Sequence, residues 1–195
     1  NKGKLNNTGF LEAINTYSPK HVLFTDVDNI PMHNDTYIVE LFNNLLFKHY
    51  YGYSTCLGGI FSCNIETFYK VNGFSNSYWG WGQEDDDLNM RARILEIPVD
   101  RSDLLEINSY NRIIRSNQAL DNGILDIETF ITEREKHGSR DKPINYNREL
   151  YKEKIGKYTR NKYHIFIDGL NQCSYRVIKR TIIKKYRAVR ILVDI

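Results

Sequence analysis

A short apolar run that ends in acidic residues places the strongest constraint on the fold. Residues 21–32 read HVLFTDVDNIPM, in which a mainly apolar run is followed by Asp26, Asp28 and a proline. A run this short, closed by polar residues, is typical of a central strand in an α/β sheet. Ligands of open α/β sheets gather at the carboxyl ends of strands. The sequence therefore predicts an α/β fold with Asp26 and Asp28 close to a ligand.

The two aspartates form an Asp-x-Asp pattern that can hold a divalent cation. If both lie on the strand, residues i and i+2 face the same side, and both carboxylates reach one ion. Hard oxygen ligands suit Mg²⁺ or Mn²⁺, which usually bridge to substrate phosphates. The pattern also occurs by chance in many chains, so it needs support from elsewhere in the sequence.

A second concentration of acids follows two tryptophans. Residues 78–87 read YWGWGQEDDD, so that Glu84, Asp85, Asp86 and Asp87 are consecutive. Neighbouring like charges repel, and adjacent indoles strengthen the repulsion by lowering the local dielectric. The next residues predict a helix, whose dipole favours acids in its first turn. Two interpretations stay open: a solvated helix start beside core tryptophans, or a sugar site in which sugar faces stack on indoles and hydroxyls donate to carboxylates.

The remaining sequence alternates between helical and strand patterns. Apolar spacing predicts a helix over residues 4–15 and a second one over 64–71, with Asn64 as its N-cap. Two glycines inside residues 53–63 indicate a strand that is broken where the backbone approaches another group. Residues 36–48 fit either element, residues 98–136 are polar and weakly patterned, residues 136–148 are loop-like, and residues 187–195 close the chain as a strand.

Composition excludes several classes of protein. The 195 residues fit one domain, and 41% of them are hydrophobic, which supplies a core. The net charge is +3, and the basic residues are spread along most of the chain, so we expect no nucleic-acid partner. Their one concentration is the tail, which we expect to form the solvated face of a terminal helix and strand. The three cysteines are too few for a disulfide framework. No stretch approaches the roughly 18 apolar residues of a membrane span, and because Asn1 rather than Met comes first, we expect a piece of a longer product.

Several segments together resemble the β-1,4-galactosyltransferase family. In the family's order they are TDVDNIPM, GGIFSC, FYKVNGFSNSYWGWGQEDDD, HGSRD, DGLNQCSY and ILVDI. The stretch from Val71 to Asp87 is the most specific, and the segments cover most of the chain except residues 100–135. The resemblance implies a GT-A-like (Rossmann-like) mixed sheet flanked by helices, in one catalytic domain over residues 1–195, with an inserted excursion at residues 100–136.

The resemblance also implies an activity. Family members are inverting enzymes that transfer galactose or N-acetylgalactosamine from a UDP-sugar to a hydroxyl of an acceptor sugar such as N-acetylglucosamine, forming a β-1,4 linkage. The implied cofactor is Mn²⁺, with Mg²⁺ as the alternative, and the implied partners are the nucleotide sugar and an acceptor glycan. Family members usually work in the Golgi lumen, whereas the low cysteine count fits the cytosol equally well.

Catalytic and metal-binding roles follow from the resemblance, residue by residue. Asp28 matches the family's aspartate metal ligand, and His137 matches its histidine ligand. Many members have a methionine ligand three residues before that histidine, where this chain has Arg134, so a third ligand is not assigned. Asp26 matches an acid that contacts the donor. Asp85 matches the base that removes the proton from the acceptor hydroxyl, and we expect the crowded acids to raise its proton affinity.

Further matches form a substrate-binding set. Trp81 matches the indole that spans donor and acceptor, and Tyr53 matches an aromatic of the acceptor pocket. Glu84 and Asp86 are expected to shape the acceptor site. Arg148 is the loosest match, to the arginine that lines the pocket for the acceptor's N-acetyl group, because its spacing differs.

Three departures from the family pattern carry expectations of their own. Strands that carry a uridine pocket precede the segment matching NKGKLNNTGF in the family, so we expect the chain to lack the first strands of the fold. Residues 100–136 are longer than the family's connection to the histidine. Cys56, which with Gly59 completes the substrate-binding set, stands where the family has a tyrosine that discriminates galactose from N-acetylgalactosamine. The smaller side chain predicts that UDP-N-acetylgalactosamine is used at least as well as UDP-galactose.

Alternative functions also stay open. One is a carbohydrate-binding remnant whose catalysis is lost with the uridine pocket. Another is a metal phosphohydrolase that uses Asp26, Asp28 and His137, although the aromatic WGWG stretch opposes it. Within the transferases, the nearest alternative is a chondroitin-type N-acetylgalactosaminyl or glucuronyl transfer domain, which shares the GGIF, NGF and GWGxED segments.

Overall fold

Four α-helices, nine strands and two short 3-10 helices make up the described part of the chain, which comprises residues 1–31, 44–106, 113–115, 141–183 and 188–195 of a computed structural model. The helices are α1 (Lys2–Tyr17), α2 (Ile65–Lys70), α3 (Glu84–Ile94) and α4 (Asp141–Arg160). The strands are β1 (His21–Thr25), β2 (Asn29–Pro31), β3 (Phe47–Gly52), β4 (Ile60–Asn64), β5 (Val99–Asp100), β6 (Leu105–Glu106), β7 (Ile113–Arg115), β8 (Arg176–Ile183) and β9 (Ala188–Asp194). The 3-10 helices span Lys162–Ile167 and Leu170–Gln172.

One mixed sheet of five strands organises the fold. Its order is β1-β4-β3-β5, and β6 also pairs with β3. Strand β4 runs antiparallel to both β1 and β3, whereas β5 and β6 run parallel to β3. All five residues of β4 are buried, whereas β1 is only partly covered. The prediction that β1 is a central strand is therefore wrong: the GGIFSC segment supplies the central strand, and β1 lies at the end of the order among the described strands.

Phenylalanine rings join the helices to one face of this sheet. Phe24 of β1 stacks on Phe61 of β4, with ring centroids 4.9 Å apart, and lies 4.8 Å from the ring of Phe68 on α2. The ring centroid of Phe10 on α1 lies 4.5 Å from that of Phe68. Each fully buried ring contributes about 2 kcal/mol. The core includes Leu88 and Ala92 of α3, so that α3 is fixed against the sheet.

Helices predicted from local signals are confirmed. Helix α1 covers the predicted residues 4–15 and extends them at both ends. Asn64 caps α2 as predicted, because its Oδ1 accepts a hydrogen bond from the Thr67 amide at 2.8 Å. Helix α3 begins at Glu84, so the four acids fill its first turn. None of the helices in the described ranges is both long and apolar enough to cross a bilayer.

Elements with weak patterns differ from the predictions. The run at 53–63 is a loop up to residue 59 and a strand only from Ile60. Helix α4 begins at Asp141, inside the stretch predicted to be a loop. Leu105–Glu106 pairs with β3, so this part of the predicted excursion at residues 100–136 joins the main sheet. The strand predicted over residues 187–195 is confirmed as β9, whereas the helix expected in the basic tail is instead the strand β8, and the two strands pair as an antiparallel ribbon.

Candidate active site

The fourth acid of the run, Asp87, is structural. It is fully buried, and its Oδ2 accepts a hydrogen bond from Nε of the equally buried Arg91 at 2.7 Å. The Arg91 guanidinium also donates to Tyr158 Oη at 3.0 Å and to the carbonyl oxygens of Gly73 and Asp168 at 3.2 and 2.8 Å. Removing one partner of such a pair costs about 3–5 kcal/mol. The pair therefore fixes the orientation of α3 and of the acids at its start.

Lys2 forms ion pairs with acids at the end of β1 and at the start of α3. Its Nζ lies 3.0 Å from Asp26 Oδ1, just beyond β1, and 2.9 Å from each carboxylate oxygen of Asp85 at the start of α3. Glu84 Oε1 lies 3.5 Å from the same nitrogen. One ammonium thus bridges the aspartate matched to the donor and the aspartate matched to the base. Lys2 was not predicted as a site residue, because a lysine in the first turn of a helix has no distinguishing sequence pattern.

The protonation of Asp85 reflects opposing influences. Burial raises its pKa to about 7, the charge of Lys2 lowers it, and Glu84 raises it again. Burial lowers the pKa of Lys2, but the surrounding carboxylates outweigh that effect and hold the pKa above the ordinary lysine range. Burial and the neighbouring acids raise the pKa of Asp86 as well. Asp85 is thus a carboxylate that exchanges a proton near neutral pH, which suits a general base.

The glycine pair brings a loop against these acids. A Cβ at Gly58 would collide with the Asp85 carboxylate, and Gly59 has a φ of +74° that only glycine adopts without strain. The Gly59 carbonyl accepts a hydrogen bond from the Asp26 amide at 2.9 Å, and the Asp85 carbonyl accepts one from the Leu57 amide at 3.1 Å. The predicted close approach of the backbone therefore exists, with Asp85 as its target.

Cys56 lies in the same loop, beside the acids. Burial raises the pKa of its thiol to about 12, and the charges of Asp85 and Asp86 add to that rise. Tyr53 is half exposed three residues earlier, and its carbonyl accepts a hydrogen bond from the Cys56 amide at 3.3 Å. The loop thus brings two predicted substrate-binding residues to the edge of the acid cluster.

The two tryptophans are exposed, not part of the core. Trp79 and Trp81 have 55% and 60% of their surface accessible. The interpretation of these residues as core tryptophans is therefore wrong. Both residues belong to the short segment that precedes the acids in the sequence and leads into α3, and each exposed ring offers a flat apolar surface that can stack on a ligand.

One predicted metal ligand, Asp28, makes no hydrogen bond or ion pair with this cluster in the described part of the chain. Strand β1 ends at Thr25 and residues 27–28 form a turn, so Asp26 and Asp28 do not share a strand face as predicted. His137 and Arg134 lie outside the described residues. Within the described ranges, no group of three or more His, Cys, Asp or Glu residues could hold a metal ion.

Asp28 nevertheless fits a divalent cation. Its carboxylate has no hydrogen-bond or ion-pair partner among the described residues, unlike Asp26, which binds Lys2. Unpaired carboxylate oxygens are the hard ligands that Mn²⁺ and Mg²⁺ prefer. Arg148 is exposed on α4, and no contact joins it to the acid cluster in the described part of the chain.

Comparison with known proteins identifies the family. A family model described as the N-terminal domain of galactosyltransferase matches residues 42–116. β-1,4-Galactosyltransferase 4 of Rattus norvegicus is 31% identical over 188 residues, which are 91% of this chain and 46% of the relative. The protein of the same name from Homo sapiens is 31% identical over 191 residues, with the same shares covered. The chain thus spans about half the length of these relatives.

Solved structures of Drosophila β-1,4-galactosyltransferase 7 share the fold. The catalytic domain in complex with xylobiose superposes with a TM-score of 0.67 at 24% identity, covering 99% of this chain and 74% of that one. A mutant of the same enzyme, in complex with manganese, UDP-Gal and xylobiose, gives a TM-score of 0.62 at 21% identity, with the same shares covered. The GT-A-like mixed sheet expected from the sequence is therefore confirmed. With these matches and the segments that carry them, the chain belongs to the β-1,4-galactosyltransferase family.

Proposed function

We propose that the protein containing this chain transfers galactose or N-acetylgalactosamine from a UDP-sugar to a hydroxyl of an acceptor sugar such as N-acetylglucosamine. The product is a β-1,4 linkage. One observation carries the proposal: Asp85, whose pKa burial raises to about 7, starts the helix that directly follows two exposed tryptophans in the chain, and it shares Lys2 with Asp26. A base, an aromatic sugar platform and a donor-side acid are the parts that such a transfer needs.

Asp85 serves as the base. It takes the proton of the acceptor hydroxyl while that oxygen forms a bond to the anomeric carbon of the donor. The bond from the anomeric carbon to the phosphate oxygen breaks, and its electron pair leaves with UDP. Because the nucleophile and the leaving group lie on opposite faces of the carbon, the α-linked donor yields a β-linked product. Asp85 can play this role because it is mostly ionised just above neutral pH yet still binds a proton readily.

The other residues of the cluster bind and orient the two sugars. Trp81 stacks on a sugar face, and Glu84 and Asp86 accept hydrogen bonds from acceptor hydroxyls. Asp26 contacts the donor, and Tyr53 forms a wall of the acceptor pocket. Gly59 and Cys56 line the part of the site that binds the donor sugar. Arg148 binds the N-acetyl group of the acceptor.

A divalent cation, Mn²⁺ or alternatively Mg²⁺, would be held by Asp28 together with His137. When bound, such an ion neutralises the negative charge of a diphosphate leaving group. The Asp28 carboxylate has no hydrogen-bond or ion-pair partner among the described residues, which supports this assignment, and the manganese in the Drosophila complex accords with it. We assign the protein to the Golgi lumen, where family members usually work.

A product analysis tests the function. The protein containing this chain is incubated with Mn²⁺, UDP-galactose and N-acetylglucosamine, and the disaccharide is examined by proton NMR. We expect a large anomeric coupling, diagnostic of a β-linkage, at O4 of the acceptor. Release of free galactose without a disaccharide would favour hydrolysis, and binding of N-acetylglucosamine without turnover would favour a carbohydrate-binding remnant.

A further inference from the structure

Asn147 of α4 contacts the segment that carries both tryptophans. We propose that Asn147 is the positioning residue of the tryptophan loop, which we define as residues 79–82, and that it fixes Trp81 at the entrance to α3. The part of the proposal that concerns acceptor binding rests on the proposed function. The part that concerns the loop conformation stands independently of it.

Three hydrogen bonds join this side chain to the loop. Nδ2 of Asn147 donates to the carbonyl oxygens of Trp79, Trp81 and Gly82 at 3.0, 3.2 and 3.1 Å. An amide nitrogen has two hydrogens, so one of them is shared between two carbonyls. Asn147 is fully buried, so water does not compete for these bonds. A single side chain thus holds three of the four carbonyl groups of the loop.

The orientation of the amide is fixed by its surroundings. Carbonyl oxygens can only accept hydrogen bonds, so the NH₂ group and not Oδ1 must face them. Oδ1 is buried and has no hydrogen-bond partner among the described residues. A buried acceptor left in that state costs free energy. Burial of Oδ1 thus destabilises the folded state, whereas the hydrogen bonds donated by Nδ2 stabilise the loop.

The loop has few other supports. In the described part of the chain, no backbone–backbone hydrogen bond involves residues 79–82. Gly80 and Gly82 have φ angles of +78° and +97°, which lie in the left-handed region. Both tryptophans are more than half exposed, so their packing contributes little to holding the backbone. The loop conformation, and with it the position of the Trp81 ring, therefore depends on Asn147.

A substitution with a matched control tests this dependence. Asn147→Asp keeps the size of the side chain but replaces the donors with acceptors that repel the three carbonyls. Asn145→Asp makes the same chemical change two residues earlier on α4, where the side chain is exposed. Trp79 and Trp81 are the only two tryptophans of the chain, so its intrinsic fluorescence reports on this loop alone. If the full-length protein contains further tryptophans, difference spectra against Trp81→Phe isolate the signal.

We expect Asn147→Asp to change the emission maximum and the acrylamide quenching of the tryptophans at a temperature where the variant is folded, and Asn145→Asp to leave both unchanged. If Asn147→Asp does not fold, Asn147→Ala, which removes the donors without adding a charge, gives the same comparison. Because misplacing a binding group lowers the rate strongly, we also expect kcat/KM for the acceptor to fall by roughly tenfold to a hundredfold, with the donor KM unchanged.

The outcomes separate this proposal from the proposed function. Unchanged fluorescence in a folded Asn147 variant overturns the role of Asn147. The role of Asn147 is also overturned if the variant is less stable but, under conditions in which it is folded, has normal fluorescence and a normal acceptor KM. If fluorescence changes but the unsubstituted protein has no transferase activity, Asn147 positions the loop and the proposed function fails.

Discussion

The Lys2 ammonium lies 2.9 Å from both carboxylate oxygens of Asp85, and it reaches Asp26 at 3.0 Å as well. The first turn of α1 thus supplies a positive charge between the end of β1 and the start of α3. This charge lowers the pKa of Asp85 against the opposing effect of burial. Lys2 therefore sets the pH range in which Asp85 is a free base.

Removing this charge should shift the pH dependence of the reaction. Asp85 accepts a proton only when it is ionised, so the rate falls below its pKa of about 7. In Lys2→Met the pKa of Asp85 rises further, and we expect the acidic limb of kcat/KM to move to higher pH. Lys2→Arg keeps the charge and should leave the limb close to its original pH.

Lys4→Met is the matched control for this measurement. Lys4 lies on the same helix, and its side chain makes no ion pair among the described residues, so its loss should not move the limb. A limb that stays in place in Lys2→Met would show that Lys2 does not tune the base.

Donor choice should depend on Cys56. A cysteine leaves room that a tyrosine would fill, so the N-acetyl group of UDP-N-acetylgalactosamine should be accommodated, and burial of its methyl adds roughly 1 kcal/mol. We expect kcat/KM for this donor to equal or exceed that for UDP-galactose. Cys56→Tyr should restore galactose preference, whereas Cys56→Ser, which stays small, should not. The prediction fails if the unsubstituted protein prefers galactose by more than about tenfold or if the tyrosine leaves the ratio unchanged.

Asp168 should stabilise the segment in front of the tryptophan loop. Its carboxylate accepts hydrogen bonds from Lys154 Nζ at 2.6 Å, Ser75 Oγ at 2.5 Å, Ser77 Oγ at 2.8 Å and the Asn76 amide at 2.9 Å. Burial raises the pKa of Asp168, but the hydrogen bonds from Lys154 and Ser75 and the Lys154 charge outweigh that effect and lower it to about 2.

This lowered pKa predicts how stability changes with pH. The ionised form is favoured in the folded state, so its contribution is present at pH 7 and is lost as the pH falls from 3.8 towards about 2. Urea unfolding of Asp168→Asn should show a lower free energy of unfolding at pH 7 and a smaller difference near pH 2. Asp194→Asn, which changes an exposed aspartate, is the control. A difference that is the same at both pH values would contradict the account.

Local signals in the sequence predicted the helices well and the distant contacts poorly. Apolar spacing, the Asn64 cap and the acid-rich first turn of α3 each act within a few residues, and all three helices are present. The contact between Lys2 and Asp85 joins residues 83 positions apart, and no local pattern signals it. The same holds for Asn147, which reaches the tryptophan loop across 65 to 68 positions.

The position of a strand within its sheet was predicted poorly, because it depends on pairing with strands that are distant in the sequence. The apolar run of β1 predicts a central strand. The central strand is instead β4, which pairs with a strand on each side and has all its residues buried. Strand β8 pairs with β9 in the described part of the chain, and most residues of β8 are exposed, so its sequence lacks the regular alternation that a core face would impose.

Asp28 should be required for metal binding. We expect Asp28→Ala to lose Mn²⁺ affinity, and with it the Mn²⁺-dependent binding of UDP, as measured by calorimetry. The exposed Glu149→Ala, which also removes one carboxylate, is the control and should bind normally. Unchanged Mn²⁺ affinity in Asp28→Ala would rule out Asp28 as a ligand, whatever the effect on activity.

The most direct test of the account is single-turnover transfer by Asp85→Asn with saturating donor and acceptor. Asparagine is nearly isosteric but cannot take up the proton, so the rate constant for sugar transfer should fall on the order of 10²–10⁴-fold. The Kd for the donor, measured in parallel, should barely change. A rate within about tenfold of the unsubstituted protein would contradict the assignment of Asp85 as the base and would transfer that role to Asp86.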